Sequence, residues 1–97
     1  MFDIRVQYFG SIRGAVQKAG EVKTLPAAVT VLRFLQGLAD EYGEGFRREV
    51  LAETPDQPRE DVTLAVNGAI IAHAAAGELP LRPGDTLDLF PIFPGGG

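Results

Sequence analysis

Thr30-Val31-Leu32-Arg33-Phe34-Leu35-Gln36-Gly37-Leu38-Ala39-Asp40-Glu41-Tyr42-Gly43 is the stretch whose reading decides the fold. Val31, Leu32, Leu35, Leu38, Ala39 and Tyr42 recur at offsets of about three and four, which puts them on one stripe of an α-helix, and Arg33, Gln36, Asp40 and Glu41 fall outside it. Thr30 is the expected N-cap, because its hydroxyl can accept from a backbone amide that has no partner inside the helix. Gly43 is the expected residue just past the other end, where a left-handed backbone favours glycine. One apolar stripe needs one apolar surface to cover, so the flanking segments should supply a sheet.

Upstream, Phe2-Asp3-Ile4-Arg5-Val6-Gln7-Tyr8 alternates apolar with polar, the period of a strand that buries Phe2, Ile4, Val6 and Tyr8 on one face. Residues 10–20 suit a short helical turn or an ordered loop. Glu21-Val22-Lys23-Thr24-Leu25, stopped by Pro26, reads as a second strand in an antiparallel hairpin with the first. Downstream, residues 46–51 predict a short helical piece and residues 54–61 an exposed loop. Val62-Thr63-Leu64-Ala65-Val66 alternates again and runs into Asn67-Gly68, a dipeptide that tolerates positive φ and so marks a tight hairpin back into Ala69-Ile70-Ile71. Arg82-Pro83-Gly84-Asp85 fits a type II turn. The last strand is then Thr86-Leu87-Asp88-Leu89-Phe90, with Leu87 and Leu89 on one face and Thr86, Asp88 and Phe90 on the other. This order predicts an α+β β-grasp (ubiquitin-like) fold: a mixed sheet of four to five strands with one main helix across it, and Val6, Leu32, Leu35, Leu38, Leu64, Val66 and Leu87 packed together.

Composition narrows the function. A chain of 97 residues fits one domain, expected to span residues 1–94 with a flexible glycine tail at 95–97. A net charge of −4 with scattered basic residues argues against nucleic-acid binding and favours a basic or neutral protein partner. With no cysteine there is no thiolate for metal or catalysis, and His73, the single histidine, reads as a surface or loop residue and not a metal ligand. No metal site is expected, the chain is not expected to catalyse a reaction alone, and the lack of a long apolar run or signal segment makes the cytoplasm the expected address.

The distinctive feature is the end, Pro91-Ile92-Phe93-Pro94-Gly95-Gly96-Gly97. Prolines restrict the way out of the last strand, and residues 94–97 reach about 13 Å when extended. Without Cβ atoms, Gly95, Gly96 and Gly97 can enter a channel too narrow for other residues and present the terminal carboxylate there.

These features together resemble the MoaD/ThiS sulfur-carrier family, most of all its molybdopterin synthase small-subunit branch. The resemblance runs through residues 4–13, the helix led by Thr30-Val31-Leu32, Ala65-Val66-Asn67-Gly68, Leu81-Arg82-Pro83-Gly84-Asp85 and Leu89-Phe90-Pro91 before the glycines. It departs at Ile92-Phe93-Pro94 and the third glycine, where the family typically has Pro-Pro, one or two small residues and Gly-Gly. The resemblance implies that a ubiquitin-activating-enzyme-like adenylyltransferase uses ATP to activate the Gly97 carboxylate, that persulfide sulfur converts it to a thiocarboxylate, and that Gly95 and Gly96 allow insertion. Phe90, Ile92 and Phe93 become the expected apolar contacts with partners, among them the large subunit of molybdopterin synthase, and no cofactor is expected on the chain itself. Conjugation to lysines as a protein modifier, and sulfur delivery for tRNA thiolation or the thiamin thiazole, are the alternative outcomes of the same activation.

Overall fold

The computed structural model describes residues 1–54 and 56–91. Five strands and three α-helices follow in the order β1 (Phe2–Tyr8), α1 (Gly10–Val16), β2 (Gly20–Leu25), α2 (Val31–Tyr42), α3 (Glu44–Val50), β3 (Val62–Val66), β4 (Ala69–Ile71) and β5 (Thr86–Pro91). A short 3-10 turn at His73–Ala75 links β4 to β5. The sheet order is β2-β1-β5-β3-β4, with β1 and β5 parallel at its centre and every other neighbouring pair antiparallel. Residues 10–20, left open between turn and loop by the sequence, form α1, capped by Gln17 in the left-handed region at φ 61°. The stretch after Gly43 forms α3 from Glu44, two residues earlier than the expected helical piece.

Local chemistry accounts for the element ends. The Thr30 hydroxyl accepts a bond from the Arg33 amide at 3.2 Å, and Gly43 takes φ 89°, as their positions around α2 suggest. Asn67 and Gly68 sit at φ 52° and 84°, the paired positive values of a type I′ turn, whose twist matches the strands it joins. Gly84 takes φ 82° in the second turn, closed by the Asp85 amide on the Arg82 carbonyl at 3.1 Å. The two turns are tied together: the Asn67 side chain donates to Asp85 at 2.9 Å and accepts from the Thr86 amide at 2.9 Å.

The helices lie on one face of the sheet. Ile4, Val6 and Tyr8 from β1, Leu87 and Leu89 from β5, and Val62 and Leu64 from β3 meet Val31, Phe34, Leu35, Leu38 and Ala39 of α2 in one cluster. Phe34 belongs to this core although the sequence stripe passed over it, because at the edge of the stripe it fills space beside Leu38 and only 7% of it stays exposed. Leu32 and Val66, expected inside, are only partly buried against the margin of the cluster. The 54–61 loop is exposed in its described residues apart from Pro58, which is buried and bridges Leu51. His73 lies in the 3-10 turn between β4 and β5, in keeping with the surface or loop position expected, and its Nε2 meets the Val62 carbonyl, which ties the turn to β3.

One polar group sits at the seam between β2, β1 and α2. The Tyr8 hydroxyl donates to Glu21 at 2.6 Å and the Tyr42 hydroxyl donates to the same oxygen, while Lys18 and Lys23 lie 3.4 and 3.7 Å from the other one. Tyr8 also meets the Tyr42 and Phe46 rings edge-on at 6.5 and 6.4 Å. Burial pushes the Tyr8 phenol well above its ordinary value, and the Glu21 charge pushes it the same way. For Glu21, partial burial acts upward, but bonds from Tyr42 and Tyr8 and the charges of Lys23 and Lys18 outweigh it and hold the carboxyl below the usual glutamate value.

Leu35 is fully buried, so Leu35→Ala should destabilise the fold by roughly 2–5 kcal/mol in urea unfolding. Because the folded state holds Glu21 below its unfolded value, the carboxylate stabilises the fold above about pH 4.5 and that contribution fades as pH falls through the unfolded and then the folded value. Glu21→Gln should therefore lower stability by roughly 1–3 kcal/mol at neutral pH, and the gap to the parent should narrow as pH falls below about 4.5, read as urea midpoints across that range.

Candidate functional site

The sheet face away from the helices is built from the alternate residues of the same strands. On β5 these are Thr86, Asp88 and Phe90; the pairing sets Asp88 between Gln7 of β1 and Ala65 of β3, and Phe90 opposite Thr63. Next along β4 is Ile70, opposite Ala65 and 76% exposed, and at the far edge Val22 of β2 is 57% exposed. Large apolar side chains left in water at these positions mark a surface with something to cover.

Phe9 completes this face. It follows Tyr8 directly, its amide donates to the Leu89 carbonyl at 3.2 Å, and its carbonyl accepts the first backbone bond of α1. That position at the strand-to-helix junction lays its ring on Phe90, with centroids 4.3 Å apart and planes 13° from parallel. Beside the stack runs a shallow groove of about 420 Å³ lined by Arg5, Gln7, Phe9, Arg13 and Val22. Asp88 stands two residues from Phe90 on the same face. Its Oδ1 is buried with no hydrogen-bond partner, and burial, unopposed by any nearby cation, pushes the carboxyl above its ordinary value.

Among the expected site residues, Phe90 is on this outer face and outside the core, while Ile92, Phe93, Gly95, Gly96 and Gly97 lie outside the described residues. Pro91 closes β5 opposite Val62, so the chain leaves the sheet from its central strand and from the end that carries the aromatic stack. Phe9, Ile70 and Asp88 were not singled out from the sequence. Phe9 could have been: after Phe2, Ile4, Val6 and Tyr8 it is an aromatic out of step with the buried alternation. Among the described residues no group of three or more His, Asp or Glu side chains gathers in a metal-binding arrangement, and no helix is long and apolar enough to cross a membrane.

A mixed five-stranded sheet with its main helix laid across one face defines a ubiquitin-like β-grasp protein. The chain belongs to the ThiS family, whose model matches residues 6–96. No curated protein matches the sequence. Among solved structures it is similar to the putative molybdopterin converting factor, subunit 1, from Pyrococcus furiosus, with 26% identity, TM-score 0.74, and 96% of this chain and 100% of that one covered. It is also similar to the small archaeal modifier protein 1 from Methanosarcina acetivorans, at 20% identity and TM-score 0.76 over 99% of this chain and 98% of that one. A third likeness is to a chain of the BexX/CysO complex of Amycolatopsis orientalis, at 20% identity and TM-score 0.69 over 96% and 99% of the two chains.

Because a buried, unpartnered carboxylate oxygen opposes folding, Asp88→Asn should raise the thermal unfolding midpoint, a gain of up to about 1 kcal/mol given that the residue as a whole is only half-buried. A midpoint lowered by the substitution would show that the carboxylate is satisfied in solution.

Proposed function

We propose that this protein carries sulfur on its own C-terminus, as the thiocarboxylate of Gly97. The observation that supports the reading is that the ThiS family match extends to residue 96, into the glycine run, and is not confined to the folded body. In this reading, residues 1–94 are the body and Gly95, Gly96 and Gly97 a thin extension that reaches into a partner's active site.

The chemistry follows from what a carboxylate lacks. A resonance-stabilised carboxylate resists attack by sulfur, so a ubiquitin-activating-enzyme-like partner first joins its oxygen to the α-phosphorus of ATP, and pyrophosphate leaves. The carbonyl carbon of the resulting mixed anhydride carries AMP as a good leaving group. A persulfide sulfur displaces AMP, and a second thiol cleaves the sulfur–sulfur bond, leaving the thiocarboxylate. ATP and the reacting thiols belong to partners, since this chain has no cysteine. Its own contribution is a carboxylate at the end of a glycine reach and, on the outer sheet face, the Phe9–Phe90 stack and Ile70 as the surface that meets the partner.

For the destination of the sulfur, the likeness to a putative molybdopterin converting factor subunit favours donation to a pterin precursor, with the large subunit of molybdopterin synthase as the receiving partner. The likeness to a small archaeal modifier protein keeps lysine conjugation as a second reading of the same activated terminus. Intact-mass measurement on protein from its native cell separates them: sulfur carriage replaces one oxygen by sulfur, whereas conjugation adds a whole protein.

Removing Gly96 and Gly97 withdraws the carboxylate by about 7 Å. A misplacement of even about 1 Å at a reacting centre can lower a rate roughly a hundredfold, so ATP–pyrophosphate exchange by the cognate activating enzyme should fall at least that far while the unfolding midpoint stays within about 1 °C. Full exchange after loss of all three glycines would sink the carrier reading.

A further inference from the structure

Asp88 is the only described residue with a buried side-chain polar atom that finds no hydrogen bond. Strand pairing explains why. Its neighbours across the sheet are Gln7 and Ala65, and the nearest cation on the same face, Arg5, is one step along the ladder opposite Thr86. Loss of water pushes the carboxyl above its ordinary value. An acid held this way opposes folding; an alanine at the same outward position on β5 would remove that opposition, and an asparagine would lessen it by removing the charge.

The surroundings indicate what completes it. Along a strand, side chains two residues apart lie about 6.6 Å apart on one face, so Asp88 adjoins Phe90 and, through it, the ring of Phe9. A carboxylate beside a flat aromatic stack suits one cationic side chain above others. A guanidinium is planar, weakly hydrated, and pairs with a carboxylate through two parallel N–H bonds while its face lies on an aromatic ring; an ammonium is a compact and strongly hydrated point charge.

We propose that Asp88 receives an arginine of the protein that docks on the outer sheet face, the guanidinium pairing with the carboxylate and lying against the Phe9–Phe90 stack. This rests on the reading that the activating partner meets the chain through that face. It assigns the face one acidic contact beside the aromatic stack, on a surface whose own cations, Arg5 and Arg13, lie along the neighbouring groove. Such a contact fixes orientation, because a carboxylate with one oxygen already out of water gains most from a partner placed in one position.

The test uses the full-length chain as protein substrate for the adenylyltransferase of the same organism, reading KM and kcat in ATP–pyrophosphate exchange. Asp88→Asn should raise KM by about 10- to 100-fold with kcat retained, and the parent's KM should climb toward the variant's as salt is added. The unfolding midpoint of Asp88→Asn, equal to or above the parent's, shows that the loss is not misfolding. Phe90→Ala tests the docking reading separately. A raised KM for Phe90→Ala with none for Asp88→Asn overturns the arginine pairing and leaves the docking face standing; an unchanged KM for both variants removes the docking face and the pairing with it.

Discussion

Everything described depends on the parallel pairing of β1 with β5. These are the first and last strands of the chain, and their union at the centre of the sheet closes the fold around α2. Parallel neighbours cannot be set by a short turn, so the register has to be fixed otherwise. Two backbone bonds do so at the start of the pair: the Arg5 amide on the Asp85 carbonyl at 2.8 Å and the Gly84 amide on the Asp3 carbonyl at 2.9 Å. Asp85 also accepts from the Arg82 amide and the Asn67 side chain, so one residue holds the turn before β5 against both β1 and the β3–β4 hairpin. A slip of one residue would put Asp88 and Phe90 into the core and Leu87 and Leu89 into water, which the hydrophobic term forbids.

That register divides the molecule into two chemistries. The inner face gathers the aliphatic core, and no described polar or charged residue is classed as buried there. Its one polar junction, Glu21 under the hydroxyls of Tyr8 and Tyr42, lies where the edge strand β2 meets the end of α2, with Lys18 and Lys23 neutralising it. Both phenols donate to a single carboxylate oxygen, so the edge strand is held to the helix and the sheet through one acceptor. On the outer face the aliphatic and aromatic side chains have no such cover. Helix packing has no use for Phe9, Phe90 and Ile70, which is the physical reason to read them as contacts and not as stability.

The sequence carried the inner face and its boundaries because those are periodic. Alternation in β1, β3 and β5, the α2 stripe, the Thr30 cap and the positive-φ turns at Asn67-Gly68 and Gly84 each express a local rule, and tertiary structure followed it. The readings that needed revision concern places where no period operates. Phe34 lies at the stripe's edge, and Leu32 and Val66 at the core margin. The stack of Phe9 on Phe90 joins opposite ends of the chain, and the isolation of Asp88 is set by what lies across two neighbouring strands; neither is a property of any window of sequence. The reading of the glycine end rests on a different kind of argument: it is chemical, an unhindered carboxylate, and residues 95–97 lie outside the described residues.

The separation of stability from chemistry explains why an opposing group can persist on β5. In the proposed reaction no residue of the packed core takes part, so the core can be fixed by burial alone and nothing in it has to be strained for chemistry. The burden of recognition then falls on the outer face, where apolar area by itself gives adhesion without direction. An unsatisfied carboxylate supplies direction, since its pairing is worth little in water and much in a dry interface where only one cation can reach it. The cost to folding is small because Asp88 is half-buried in the free chain; the desolvation is completed only when the partner arrives with its compensating charge. In the proposed complex, Asp88 therefore gives direction to a contact whose area comes from the Phe9–Phe90 surface.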